Sequence, residues 1–153
     1  MIFRFAELSD YAEVNRLARQ VHELHVGWRP DIFRSVDFPI EKEHYCRLVE
    51  DGHILLGEQE NVVTAYAVFS VQELALSNLV PRTVLKLEEL CVDEAFRRRG
   101  IARAMMERLF QIGREAGCTD VQLTCDPHNA AGIAFYESLG MKPKTIQYHI
   151  RLI

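Results

Sequence analysis

One stretch of this sequence constrains the fold more than any other. Residues 83–93 read as an apolar strand, and residues 100–116 read as the strongest helix in the chain. On that helix Ala102, Met105, Met106, Leu109, Gly113 and Ala116 recur at helical spacing, and Gly117 supplies the stop signal. A strand joined to an amphipathic helix by a short polar link calls for a layered α/β domain. The rest of the chain keeps the alternation. Residues 2–6 read as a strand, and Ser9 or Asp10 can cap a helix carrying Val14, Leu17, Ala18, Val21 and Leu24 on one face. Residues 27–39 read as a loop and 40–50 as a shorter helix. Strands follow at 53–58 and 62–72, joined near Glu60-Asn61 as a hairpin, and another at 121–125. Asn129 can cap a helix running to Gly140, and Thr145–Ile153 alternates like a strand. The expected fold is a single α/β domain over residues 1–153, a mixed sheet of about seven strands with about four helices.

The link between strand and helix carries chemistry. It reads Arg97-Arg98-Arg99-Gly100-Ile101-Ala102-Arg103. The first N–H groups of a helix lack partners, and with the helix dipole they form an anion site. Gly100 lets a phosphate approach the backbone, Ala102 keeps the first turn uncrowded, and the arginines can add charge-assisted contacts. Three cations at a helix start oppose the dipole, so a bound anion explains them better than a solvated charge cluster. The chain contains neither G-x-x-x-x-G-K-[ST] nor G-x-G-x-x-G, so other phosphate loops fit worse.

Arg97-x-x-Gly100-x-Ala102 after a strand resembles the R/Q-x-x-G-x-G/A signature of the GCN5-related N-acetyltransferases (GNAT). Leu87-Glu88-Glu89-Leu90-Cys91-Val92-Asp93 looks like the strand that enters this loop. Asn129-x-x-x-x-Ala134-Phe135-Tyr136-x-x-x-Gly140-Met141 looks like the family's next motif. The resemblance implies acetyl-CoA as acyl donor, with no metal. Backbone N–H groups from about Arg98 to Arg103 would hold the pyrophosphate. The edge of Leu90, Cys91 and Val92 would pair with the pantetheine arm, Asn129 would lie near that arm, and Tyr136 near the thioester sulfur. A homodimer is an expectation from the resemblance alone.

The residues add their own argument. Apolar parity in strand 83–93 changes between Leu85, Leu87 and Leu90, Val92. One extra residue, a bulge at Glu88-Glu89, would restore a continuous buried face; the competing explanation is a strand end with two solvated glutamates. Acetyl transfer to an amine needs removal of a proton from a group with a pKa of about 10.4. Glu88 is the first candidate base and Glu89 the second; in regular strand geometry only one faces the site. A backbone donor near Leu90 or Cys91 could stabilise the oxyanion, and Tyr136 could protonate the departing thiolate.

Other features bound the reading. A net charge of −4 argues against a nucleic-acid partner held mainly by phosphate contacts. With 48% hydrophobic residues, 26% charged residues and no spanning apolar run, a soluble cytoplasmic protein away from the membrane is the expectation. The four cysteines show no close pairing pattern and read as reduced thiols. Cys125-Asp126-Pro127-His128 lacks the further ligands a zinc site needs. The acceptor is a small-molecule or peptide amine, and Trp28, Asp31, Phe33, Glu41 and the stretch Leu74–Arg82 are candidates to border it. A non-catalytic acyl-CoA binding or sensing module is the alternative.

Overall fold

The computed structural model describes residues 1–153. Its elements are β1 (Ile2–Phe5), α1 (Tyr11–Trp28), α2 (Lys42–Glu50), β2 (Ile54–Gln59), β3 (Val62–Leu74), β4 (Arg82–Val92), α3 (Ile101–Glu115), β5 (Asp120–Leu123) and α4 (Ala130–Ser138). The sheet has five strands in the order β1-β2-β3-β4-β5. β1 to β4 are antiparallel neighbours and β5 joins β4 in parallel. That corrects the expected seven strands. Thr145–Ile153 alternates as a strand should, yet forms no regular structure, because no neighbouring strand bonds to it. No helix is long and apolar enough to cross a membrane.

Two layers of helix cover the sheet. Val14, Leu17 and Ala18 of α1 and Tyr45 of α2 pack on Ile54, Leu56, Tyr66, Val68 and Cys91. On the other face Ile101, Met105, Met106 and Leu109 of α3 pack on Leu55, Ala65, Ala67, Phe69, Leu85 and Leu87. Residues 54–57 of β2 are buried throughout, as expected of a strand covered on both faces. At the other end of α1, Leu24 stays exposed, so the helix buries only its first half. Ile101 joins the buried face of α3, whereas Ala116 lies outside it at the exposed C-cap.

Local signals set the boundaries. Glu60 and Asn61 both adopt positive φ (50° and 63°), the backbone of a two-residue hairpin that matches strand twist. Gly117 at φ 74° ends α3, with the Cys118 N–H donating to the Gly113 carbonyl at 2.8 Å. Asp10 precedes α1 but makes no cap bond to it. Its carboxylate instead accepts from the Glu7 N–H at 2.8 Å and from Arg4 at 2.7 and 2.8 Å.

Candidate active site

The parity change in β4 is a bulge. Val68 pairs with Glu89 and Phe69 with Leu87, leaving Glu88 as the extra residue. Leu85, Leu87, Leu90 and Val92 consequently all pack on the α3 side, while Cys91 joins the α1 side. The neighbouring strand follows β4 only as far as this point. β4 and β5 pair from Val84–Asp120 to Leu87–Leu123 and no further. From Glu88 to Val92 the β4 edge facing β5 is therefore open, an edge that an extended amide-bearing chain can pair with.

β4 leads to the anion loop. Asp93 caps the turn Glu94–Phe96 by accepting from the Ala95 N–H at 3.1 Å. Arg98 (φ 63°) and Gly100 (φ 78°) are both left-handed, which turns the chain sharply into α3. The Arg98 to Arg103 N–H groups donate to no other backbone group, and no acidic residue lies in the first turn of α3. Arg97, Arg98, Arg99 and Arg103 pair with no carboxylate. Arg97 Nε donates to the Val92 carbonyl (3.2 Å) and Arg99 Nη2 to the Ala95 carbonyl (3.3 Å). Arg99 also stacks over Phe96, and Arg103 Nη2 donates to Ser138 Oγ at 3.2 Å. The result is a fan of unpaired N–H groups flanked by uncompensated positive charge.

Asp93 ties this loop to the opposite layer. Its carboxylate, almost fully buried, accepts from Arg16 Nη1 at 2.8 Å and Gln20 Nε2 at 3.3 Å. The Gln20 side-chain oxygen in turn accepts from the Glu94 N–H at 2.9 Å. Burial alone would raise the Asp93 pKa, but the bonds from Arg16, Ala95 and Gln20 outweigh it and lower the value. Sequence reading missed Arg16 and Gln20. Their i, i+4 spacing beside the apolar face of α1 was the available signal.

Glu88 and Glu89 line one cavity of about 410 Å³ on the α1 and α2 side. Ile40, His44, Leu48, His53, Val68, Phe69 and Ser70 complete its wall. The expectation that only one glutamate faces the site holds for a regular strand; the bulge brings both to the same space. Glu89 accepts from the buried Tyr66 hydroxyl at 2.7 Å, while Glu88 lies 3.4 Å from Lys86 Nζ and is half-exposed. Nothing local in the chain singles out His44, His53 or Tyr66. Only the tertiary packing of α2 against β3 brings them beside the glutamates.

α4 packs on the α3-side core through Phe135, Tyr136 and, just past its end, Leu139. Asn129 caps it, its Oδ1 accepting from the Gly132 N–H at 2.9 Å. Tyr136 lies against the α3-side core beside Phe135, and burial, then the nearby Cys125, push its pKa up to about 12. Cys91 is buried with its thiol donating to the Leu17 carbonyl at 3.3 Å, and burial pushes its pKa up to about 12. Such a thiol is a structural group and a poor nucleophile.

Candidate acceptor residues from the first loop fall elsewhere. Trp28 packs on His25, Phe33 packs on both His22 and His25, and Asp31 is held by Arg29 at 2.9 and 2.8 Å. None of these lines the cavity, nor does Glu41, which occupies the N-cap position of α2. Leu74–Arg82 lies at the opposite end of the β3–β4 hairpin from the anion loop. No group of three or more His, Cys, Asp or Glu side chains is placed to hold a metal ion.

This geometry has relatives. The acetyltransferase (GNAT) family matches residues 18–141. A mutant of the BH1408 protein of Bacillus halodurans superposes with a TM-score of 0.95 at 32% identity, over 100% of both chains. The [Ribosomal protein bS18]-alanine N-acetyltransferase of Escherichia coli (strain K12) is 38% identical over 61 residues, 40% of this chain and 41% of that protein. An uncharacterised N-acetyltransferase of Methanocaldococcus jannaschii is 32% identical over 71 residues, 46% of this chain and 31% of that one. The chain thus spans less than half the length of these two curated relatives. Aminoglycoside N-acetyltransferase AAC(6')-Iy, solved with CoA, shares the fold at a TM-score of 0.70 and 15% identity, over 99% of this chain and 95% of that one. The family match covers most of the chain, and the chain belongs to the acetyltransferase (GNAT) family.

Proposed function

We propose that this protein transfers the acetyl group of acetyl-CoA to a primary amine by direct attack within a ternary complex. The observation that carries the proposal is the bulge. One extra residue opens the Glu88–Val92 edge toward β5 and presents two carboxylates to a cavity on the α1 side. The donor then has a place on one side of β4 and a cationic acceptor has one on the other.

In this mechanism the N–H groups of Arg98 to Arg103 bind the pyrophosphate, supplemented by Arg97, Arg98 and Arg99. Gly100, Ile101 and Ala102 allow its close approach. Leu90, Cys91 and Val92 pair through their backbone with the pantetheine arm, and Asn129 contacts that arm. Glu89, fixed by Tyr66, holds the acceptor ammonium. Glu88 takes its proton, directly or through water. The freed amine nitrogen bonds to the thioester carbonyl carbon, the C–S bond breaks as Tyr136 gives its proton to the sulfur, and the second proton of the attacking nitrogen passes through water to the Tyr136 phenolate. With its pKa raised to about 12, Tyr136 is protonated at neutral pH and can serve as that acid.

Thiol release from acetyl-CoA, screened over small amines, amino acids, aminoglycosides and peptide N-termini, tests the proposal. Turnover with at least one amine class, lost in Glu88→Gln and Tyr136→Phe, is the expected result. Tight acetyl-CoA binding by calorimetry without release on any amine would overturn it and favour a sensing module.

A further inference from the structure

The strand parity that builds the core also fixes where Lys86 points. Leu85 and Leu87 are buried on the α3 side, so Lys86 between them projects from the other face, toward α1 and α2. Across the sheet it pairs with Ser70 of β3, which lines the glutamate cavity. On its other side it pairs with Gln122, one position before β5 parts from β4 at Leu87–Leu123. Lys86 therefore stands where the cavity meets the open edge of β4.

Its amine has a single ionic partner. Lys86 Nζ lies 3.4 Å from Glu88 Oε1, with 42% and 43% of the two side chains in solvent. So exposed a pair holds its members loosely. No lysine or arginine lines the cavity itself. The other three lysines lie elsewhere. Lys42 sits over the Tyr11 ring, and Lys142 and Lys144 follow Met141 in the segment without backbone bonds. None of the three pairs with a carboxylate.

An acceptor nitrogen must come within reach of Glu88 to lose its proton there, and the Lys86 nitrogen already lies against that carboxylate. An amine tethered two residues from the base also has a far higher local concentration than a free one. We propose that Lys86 is a self-acetylation site, modified from bound acetyl-CoA when no acceptor occupies the cavity. This inference rests on the catalytic proposal, since donor, base and acid are the same. Glu88 takes one proton from the Lys86 ammonium, and the freed nitrogen bonds to the thioester carbonyl carbon. The C–S bond breaks as Tyr136 protonates the sulfur, and the second nitrogen proton passes through water to the Tyr136 phenolate. The products are an amide at Lys86 and the free thiol of CoA, and Glu88 returns its proton to solvent. The acetylated side chain is uncharged and no longer nucleophilic, so each chain reacts once.

Peptide mass spectrometry of the full chain, incubated with acetyl-CoA and no added amine, tests it. Acetylation of Lys86 should run at least about tenfold faster than that of Lys42, Lys142 or Lys144. Free thiol should reach a single equivalent per chain and be absent in Lys86→Arg, a change at a half-exposed position that keeps the charge. Glu88→Gln should slow labelling of Lys86 by about 10²-fold or more, which separates an enzyme-driven step from spontaneous acetylation. Any amine that the protein turns over should protect Lys86 when saturating. An unmodified Lys86 in a protein that releases thiol with an added amine overturns this inference and leaves the catalytic proposal standing. Equal labelling of all four lysines, or of Lys86 in wild type and Glu88→Gln, also overturns it. Absence of both thiol release with every amine and labelling of Lys86 overturns the two proposals together.

Discussion

The anion loop and the glutamate cavity lie on either end of the same five-residue stretch of β4, but they are built differently. The loop is made of consecutive residues and presents main-chain N–H groups that any sequence with the right turn would offer. The cavity is made of side chains from α2, β3, β4 and the segments before and after α2. A site made by backbone is inherited with the fold and binds what all its holders share. One made by converging side chains changes with each substitution and sets what differs between relatives. The donor should thus be common to the family, and the acceptor particular to this chain.

Substitutions can break that division. The largest effect is expected in the cavity: Glu88→Gln should lower kcat by about 10²–10⁴-fold, the usual worth of a general base, with little change in acetyl-CoA affinity. Steady-state kinetics beside calorimetry checks it, and a matching loss of affinity would show that the two halves are not separate. Gly100→Val should act oppositely. Forcing a β-branched residue to φ 78° costs about 1–3 kcal/mol, so acetyl-CoA should bind about 5- to 150-fold more weakly while kcat at saturation holds.

Asp93→Asn sharpens the comparison, because Asp93 joins the loop to α1. The lost charge weakens the bond from Arg16, and we expect about 1–3 kcal/mol less stability by denaturant unfolding. A raised KM for acetyl-CoA with unchanged kcat would show that Asp93 positions the loop. An unchanged KM would limit it to stability. The Asp93 pKa is lowered on folding, so its contribution is complete above the unfolded value of 3.8 and fades as pH falls through the lower folded one. Thermal unfolding between neutral pH and pH 3 should show this loss in the wild type and much less of it in Asp93→Asn.

The smallest expected effect concerns Tyr136. With its pKa pushed up to about 12, the pH profile of kcat should show no loss from this phenol near pH 10, where an ordinary tyrosine would ionise. A falling limb at pH 10 that disappears in Tyr136→Phe would return the residue to ordinary solvent exposure.

Legibility in the sequence followed the same division. The loop, α3 and the bulge could be read because each depends on neighbours in the chain: a glycine at a turn, apolar spacing, a parity change. Agreement of Leu85, Leu87, Leu90 and Val92 on one face is the clearest instance. Tyr66, His44 and His53 could not be read, since nothing local marks a residue that becomes important through a distant partner. The aromatic partners of Trp28 and Phe33, His25 and His22, could not be read either, because these contacts form only once α1 and the segment after it fold together. The tail misled. Its alternation was real, but no backbone group of residues 142–153 bonds to another, and alternation alone does not supply that partner.

The bulge at Glu88 also separates two kinds of genetic change. A substitution there alters the carboxylate and leaves the strand's phase intact. A deletion of that one residue would restore regular pairing with β3, send Leu90 and Val92 to the α1 side, and turn Cys91 toward α3. A change of side chain at this position therefore alters chemistry without altering the fold, whereas a change of length alters the fold, so single-residue gaps within β4 should be rarer than substitutions.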